Sequence, residues 1–279
     1  MSFSFVQMSD PQFGMFASVS NYTEEEIAER RQRGVLMRKA PGPITGFADE
    51  TRLYTRAIEK TNSLGPDFVV VCGDMIHDTG DEAEIAELFR ITENLDVGIP
   101  VHWVSGNHDV GEAPTSESIA LYREKFGDDN YSFDHADCHF TVINSSVASD
   151  PSNVPREWNR MIQFLGDDMS AARRAGAEHL ILLLHHPLFL ERPDEDEDYF
   201  TIPFERREAI VSILKGNDAS AVFAGHMHRN NYARDGDLLM ITTGAVGYPL
   251  GPDPSGIRLV TMDEASISHR YYPLADPPE

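Results

Sequence analysis

Five polar motifs, each directly after an apolar run, carry the residues of this chain that could do chemistry. They are Ser9-Asp10-Pro11-Gln12, Gly73-Asp74 with His77-Asp78 just beyond, Gly106-Asn107-His108-Asp109, His185-His186-Pro187 and Gly225-His226-Met227-His228. Their Asp, Asn and His side chains are the oxygen and nitrogen donors that divalent or trivalent first-row metals accept. One such motif alone says little, because an Asp after a strand is commonly the N-cap of the next helix. Five in order, each closing a run that reads as a strand, point to a two-metal hydrolytic site.

Each motif offers a distinct role. Asp10 follows the first apolar run, so its carboxylate can project from a sheet edge as a metal ligand. Asp74 follows Phe68-Val69-Val70-Val71-Cys72-Gly73, a run expected as a buried parallel strand. A carboxylate there is costly to dehydrate without a cation, and Asp74 is the candidate to bridge two metals. Asn107 supplies a neutral oxygen donor, which leaves His108 free as a proton donor. Gly106 permits the tight turn between them. Asp109 either orients His108 or caps the next helix, and capping is the favoured reading. Successive strand residues face opposite ways, so one of His185 and His186 is expected to be a ligand, with His185 preferred. His226 and His228 are two apart, on one face of an extended segment, and can serve one metal or two. His77, three residues after Asp74, can approach the metals or His108. His102, His135, His139, His179 and His269 lie in or beside strands without partner motifs and read as ordinary core or surface residues.

The elements that must position these motifs are legible as alternating patterns. Short apolar runs at 3–8, 68–72, 101–105, 139–144, 180–184, 221–224, 238–243, 257–262 and 267–272 read as strands. Amphipathic stretches at 48–63, 82–95, 116–126, 156–175 and 203–214 read as helices. Strand and helix alternate in the first half, as in parallel crossover units, and the C-terminal part is strand-rich with short turns. The expected fold is α/β, with two mixed sheets packed together and flanked by helices. Ligands then sit beyond the carboxyl ends of the strands, where the motifs fall. Two segments stand outside this skeleton. Residues 13–47, with a Pro-Gly-Pro turn at 41–43, form an insertion that is either a lid or substrate wall, or a surface excursion. The acidic run Asp194-Glu195-Asp196-Glu197-Asp198 reads as a solvated loop or as the rim of a pocket mouth.

Composition narrows the alternatives. A chain of 279 residues fits one large domain, residues 1–279. The net charge of −23 argues against binding nucleic acid through phosphate contacts. No run approaches the roughly 20 apolar residues of a membrane helix, so no membrane role is expected. Residues 1–10 lack a basic region and a cleavage site, which makes a cytoplasmic location the expectation. Cys72 and Cys138 each lie in or beside an apolar run and read as reduced core thiols.

The order D-x-Q, G-D, G-N-H-D, H-H-P and G-H-x-H resembles the calcineurin-like metallophosphoesterase superfamily. Longer strings narrow it further: Ser9-Asp10-Pro11-Gln12-Phe13-Gly14, Pro187-Leu188-Phe189-Leu190-Glu191, Gly225-His226-Met227-His228-Arg229-Asn230 and His269-Arg270-Tyr271-Tyr272. They are similar to the calcineurin-like phosphoesterase domain-containing serine/threonine phosphatases. The resemblance implies a metallo-dependent phosphatase-like, four-layer α/β/β/α sandwich around a dinuclear centre, and the oxygen and nitrogen donors without thiolates allow manganese, iron or zinc there. Carried over by motif, Asp10 and His228 hold the first metal, Asp74 bridges, and Asn107, His185 and His226 hold the second, with His108 as general acid. The superfamily pattern begins D-x-H, whereas Gln12 stands at the place of that histidine in this ligand set. A Gln oxygen is a weaker donor than imidazole, so this departure reads as retuning of the first metal.

Three functions follow as expectations. The first is hydrolysis of phosphomonoesters, small molecules or phosphoserine and phosphothreonine of proteins, by in-line attack of a metal-bound hydroxide. His108 then protonates the leaving alkoxide, Arg229 contacts a phosphate oxygen, and His77 borders the substrate. The acidic surface favours basic peptides around a phosphosite. The second is a phosphodiesterase acting on cyclic nucleotides or glycerophosphodiesters. The third is a non-catalytic metal-binding scaffold, with Gln12 marking a degenerate site.

Overall fold

Residues 68–72 are buried at every position, and their alternation dictates the layering. Phe68, Val70 and Cys72 join one hydrophobic cluster, while Val69 and Val71 join another, as successive strand side chains must. A strand apolar on both faces needs cover on both faces, so the fold requires one layer of helices and a second sheet.

The computed structural model describes residues 2–38, 42–264 and 266–274. Pro41 of the Pro-Gly-Pro turn lies outside the described residues. The first half runs β1 (Phe3–Met8), α1 (Met15–Ser20), α2 (Glu24–Gln32), α3 (Ala48–Leu64), β2 (Phe68–Cys72), α4 (Glu82–Thr92), β3 (Val101–Val104), α5 (Asn107–Val110) and α6 (Ser116–Phe126). It continues with β4 (Tyr131–His135), β5 (Cys138–Val142), α7 (Ser145–Ser149), α8 (Pro155–Ala175), β6 (His179–Leu183) and α9 (Phe204–Gly216). Five strands close the chain with few helical interruptions: β7 (Ala221–Ala224), β8 (Asn231–Asp235), β9 (Leu238–Thr242), β10 (Gly256–Asp263) and β11 (Ser266–Pro273).

One sheet has the order β11-β10-β1-β2-β3, parallel from β1 to β3 and antiparallel across β1–β10 and β10–β11. The other has the order β4-β5-β6-β7-β9-β8, with four parallel strands between two antiparallel edges. Both are mixed sheets, as expected. Between them lie Phe5, Phe68, Phe140, Phe223, Ile181 and Ile241, with Phe5 and Phe68 stacked at 5.1 Å. Outside the first sheet, Leu53, Ala57 and Ile58 of α3 and Ile85 and Leu88 of α4 pack on Val6, Met8, Val69 and Val71. Outside the second, Met161, Leu165 and Met169 of α8 and Ile210 and Leu214 of α9 cover Leu180, Leu182 and Val222.

The expected strands and helices all form, with ends displaced by at most a few residues. Two strands, β4 and β8, were not expected from the sequence; both are sheet edges with half-exposed, partly charged residues. The segment 13–47 carries α1 and α2, and its Met15, Val19, Ile27, Val35 and Met37 pack with Phe200, Met227, Tyr248 and Leu250. The insertion thus shares a small core with the rest of the chain. No described helix is long and apolar enough to cross a membrane. Cys72 and Cys138 are both free and buried.

Candidate metal centre

The motifs end strands β1, β2, β6 and β7 or follow β3, so the two sheets bring their carboxyl edges to one cleft. The backbone there is unusual. Among the described residues seven non-glycines have positive φ, and five of them belong to the motifs: Asp10 (51°), Gln12 (37°), Asp74 (52°), His226 (68°) and His228 (51°). Left-handed geometry costs an L-residue roughly 1–2 kcal/mol, least for Asp and Asn, so neighbours must enforce it. Asp10 N–H donates to the Gly73 carbonyl at 3.0 Å and Gln12 N–H to that of Asp74 at 2.9 Å. Gly225 N–H donates to the His185 carbonyl at 3.0 Å, tying the motifs of β6 and β7 together. Gly106 is required by contact: a Cβ there would lie 2.1 Å from Asp74 Oδ1. At Gly73 both reasons apply, since φ is +85° and a Cβ would lie 2.4 Å from His185 Nδ1.

Two groups of buried donors result, Asp10–Asp74–His228 and His185–His186–His226, each with ligand atoms within 4.8 Å of one another. His228 Nδ1 donates to the Tyr248 carbonyl at 2.6 Å, so Nε2 faces Asp10 Oδ1 at 3.2 Å. His185 Nδ1 donates to the Cys72 carbonyl at 2.8 Å. Its Nε2 then lies 3.0 Å from Asn107 Oδ1, 3.1 Å from His226 Nδ1 and 3.3 Å from Asp74 Oδ2. A ring nitrogen anchored on a carbonyl, leaving the other free, is the arrangement metal-ligating histidines use. Asn107 Nδ2 donates to Glu112 Oε1 at 3.0 Å, which turns the amide oxygen toward His185. His186 comes nearer than expected, its ring 4.3 Å from that of His226, although its Nδ1 is engaged by the Ser145 hydroxyl at 3.0 Å.

Electrostatics agree with a cation site. Burial drives His226 well below the usual imidazole range and His186 down to about 3, so both rings are neutral and keep lone pairs. Burial opposes charge on His185 too, yet the Asp74 carboxylate raises it to about 9. A buried Asp74 thus needs positive charge beside it. Gln12 is 1% exposed; its amide nitrogen meets His77 Nδ1 at 3.2 Å, while its Oε1 is buried without a hydrogen-bond partner among the described residues. An orphaned oxygen lining the cleft, among carboxylates and neutral imidazoles, fits a hard or borderline divalent metal.

His108 stands beside the donors. Its N–H donates to Asp74 Oδ1 at 2.9 Å and its Nδ1 to the His77 carbonyl at 2.6 Å, and its ring stacks on His77 at 4.7 Å. Burial first, and then His108, lower the His77 ring to about 4. Asp109 does more than cap. Its carboxylate accepts from the N–H groups of Gly106 (2.7 Å), Asp74 (2.9 Å) and Met75 (2.9 Å), fastening the β3–α5 turn to the Asp74 loop.

A cavity of about 260 Å³ opens over Gln12, Asp74, His77, Asn107, His108, His226 and His228. Its walls include Tyr22, Arg30 and Arg33 from the insertion and Tyr199 and Phe200 after the acidic run. Arg229 is set one layer back: its guanidinium stacks on Phe200 at 5.0 Å and reaches the Gly34 carbonyl, and it does not line the cavity. Arg30 and Arg33 were missed by sequence reasoning; the signal was their place at the basic end of an otherwise acidic helix. The acidic run stays largely exposed, but carboxylates within it turn back onto the chain. Glu195 accepts from the N–H groups of Leu190, Glu191 and Arg192, and Asp198 from that of Phe200, which sets Tyr199 and Phe200 at the mouth.

Known proteins are similar to this chain in sequence and in fold. The family model described as calcineurin-like phosphoesterase matches residues 3–230. The serine/threonine-protein phosphatase CPPED1 of Pongo abelii is 34% identical over 279 residues, covering 98% of this chain and 84% of that protein. A probable cyclic nucleotide phosphodiesterase of Rhodococcus erythropolis is 26% identical over 228 residues, covering 75% of this chain and 70% of its own. In fold, the chain is similar to the solved structure of a dimetal phosphatase from Danio rerio, with a TM-score of 0.65 at 15% identity over 97% of this chain and 99% of that one. The extent of the family match and of the CPPED1 similarity, on a cleft with these donors, makes this chain a member of the calcineurin-like phosphoesterase family.

Proposed function

We propose that this phosphoesterase is a two-metal phosphomonoesterase acting on phosphoserine and phosphothreonine in proteins. The observation that carries the reading is His185 Nε2, within 3.3 Å of donor atoms from three other motifs. In this reading Asp10, Gln12 and His228 hold one metal, Asn107, His185 and His226 the other, and Asp74 lies between. Two such cations, manganese, iron or zinc, supply Lewis-acid charge to a phosphoryl group and lower the pKa of water. His108 delivers the proton: with Nδ1 committed to the His77 carbonyl, Nε2 is the atom left to protonate a leaving alkoxide. Arg30 and Arg33 give the wall positive charge where a phosphate enters, and Phe200 and Met15 keep part of it dry.

The protein substrate rests on the CPPED1 relative, similar over nearly the whole chain. The diesterase alternative rests on the weaker Rhodococcus match. Metal analysis of the purified protein, with hydrolysis of nitrophenyl phosphate and bis-nitrophenyl phosphate with and without manganese, tests both. Two metals per chain and faster monoester hydrolysis support the proposal; faster diester hydrolysis supports the alternative, and fewer than one metal with no release sinks both. A cytoplasmic location belongs to the same proposal, supported by the two buried, unbridged thiols.

A further inference from the structure

The second half of the insertion is dense in positive charge. Residues 30–39 hold Arg30, Arg31, Arg33, Arg38 and Lys39, five of the 23 basic residues in a chain of net charge −23. Lys39 lies outside the described residues; the four arginines do not. Arg30 and Arg33 line the cavity over the donors. Arg31 and Arg38 line a neighbouring groove of about 320 Å³ with Leu36 and Pro252, and Met37 belongs to both.

These arginines are positioned; Arg30 shares its charge with Glu26 one turn earlier, so the strip rests on Arg31, Arg33 and Arg38. Arg30 lies over the Tyr22 ring at 4.0 Å and Arg33 over that of Tyr199 at 4.7 Å, contacts that fix guanidinium planes and leave their N–H edges open. Arg31 Nε donates to the Met37 carbonyl at 2.8 Å, bracing the 31–37 turn. None of the four forms an ion pair with a carboxylate among the described residues. The helix dipole explains Arg30 and Arg31, at the end of a helix that starts with Glu24, Glu25 and Glu26. It extends to Arg33, the C-cap, but does not explain Arg38, which lies beyond that end. The nearby acids are committed: Glu112 to Asn107, and Glu195, Glu197 and Asp198 to backbone N–H groups.

We propose that this row is a docking strip for an acidic phosphopeptide, its phosphoresidue in the cavity and its flanking carboxylates on Arg31, Arg33 and Arg38. The inference rests on the phosphoprotein reading above and reverses the sequence-based expectation of basic peptides. Total charge acts at long range and is screened beyond about 8 Å at physiological salt, so the local strip decides the contact. Leu36, 45% exposed, adds an apolar contact along the groove.

The test measures binding to the metal-loaded protein by fluorescence anisotropy, with peptides carrying one non-hydrolysable phosphonate mimic of phosphoserine flanked by Glu, Ala or Lys. The Glu-flanked peptide should bind about tenfold tighter than the Ala-flanked one, the scale of two exposed ion pairs. Raising salt should shrink the preference, and Arg31→Gln with Arg38→Gln should cut it below about threefold. Both arginines are exposed, and an unchanged melting temperature shows that the variant is folded. Equal binding of the Glu and Ala peptides, or tighter binding of the Lys peptide, overturns the proposal. Easier displacement by a small bisphosphate than by unlabelled Glu peptide overturns the peptide as occupant. Phosphatase activity is judged separately on nitrophenyl phosphate: activity without a Glu preference sinks the strip alone, and a Glu preference without activity sinks the phosphatase alone.

Discussion

Replacing Asp109 by Asn separates the scaffold of the cleft from its metal donors. Oδ2 accepts from Asp74 N–H at 2.9 Å and Gly106 N–H at 2.7 Å, and Oδ1 from Met75 N–H at 2.9 Å and Ile76 N–H at 3.4 Å. An amide keeps one acceptor; in either orientation its NH₂ confronts two N–H donors. A hydrogen bond to a charged acceptor contributes about 1.5–3 kcal/mol, so losing one such pair and weakening the other predicts a loss of about 3–5 kcal/mol. An opposing effect exists in metal-free protein. Burial, and then the Asp74 charge, push the Asp109 carboxyl up, and neutralising it returns about 1–2 kcal/mol. The net loss in EDTA is therefore about 1–4 kcal/mol. Cations beside Asp74 screen that repulsion, so in manganese the relief disappears and the larger loss is exposed. Because metal binds the folded chain, the difference appears as manganese affinity about five- to thirtyfold weaker. Urea unfolding of both proteins in EDTA and in manganese, with calorimetric titration of the metal, checks this. A loss in manganese equal to or smaller than that in EDTA refutes the reasoning.

His108→Ala should cost on the order of 10²–10⁴ in turnover of alkyl phosphates and far less on nitrophenyl phosphate, whose leaving group hardly needs a proton. Steady-state rates on the two substrates decide it, and equal losses count against His108 as the acid. Gln12→His should raise metal retained after dialysis, because imidazole is the better donor; unchanged metal content would mean that Gln12 is no ligand. Away from the cleft, the hydrogen bond that the His139 ring donates to Asp168 is the main cause raising that ring above its usual range, helped by Asp134. A raised imidazole contributes stability that is complete below about pH 6.5 and fades as pH rises through the folded value. Chemical denaturation from pH 6 to 9 should show a declining stability that His139→Gln flattens; parallel curves would remove His139 from the account.

Much of this molecule is written in short-range pattern. The run 68–72 announces a strand covered on both faces, and the ends of α3, α6 and α8 fall within a residue or so of the amphipathic stretches that suggest them. Edge strands β4 and β8 carry no such signal, because strands with exposed residues such as Asp134 and Arg234 need not alternate cleanly. At the cleft, residue type and order suggest the donors, but not how the backbone holds them. Left-handed geometry at Asp10, Asp74 and His228 comes from hydrogen bonds between loops far apart in sequence. Nor does local pattern tell Arg229, turned back under Phe200, from Arg30 and Arg33, which reach the cavity. Asp109 looks like a helix cap because its other partners, Asp74 and Met75, lie more than thirty residues upstream.

The donors also impose an order on biogenesis. Asp74 and Asn107, from one sheet, meet His185 and His226, from the other, and Asp10 meets His228 from the far end of the family domain. A chain still on the ribosome cannot close the second pair until residue 228 has emerged and β7 has joined β6. Metal capture is then a late event that reports the assembly of both sheets. On the two-metal reading, a chain truncated before β7 lacks His226 and His228 and should retain less metal than the full chain.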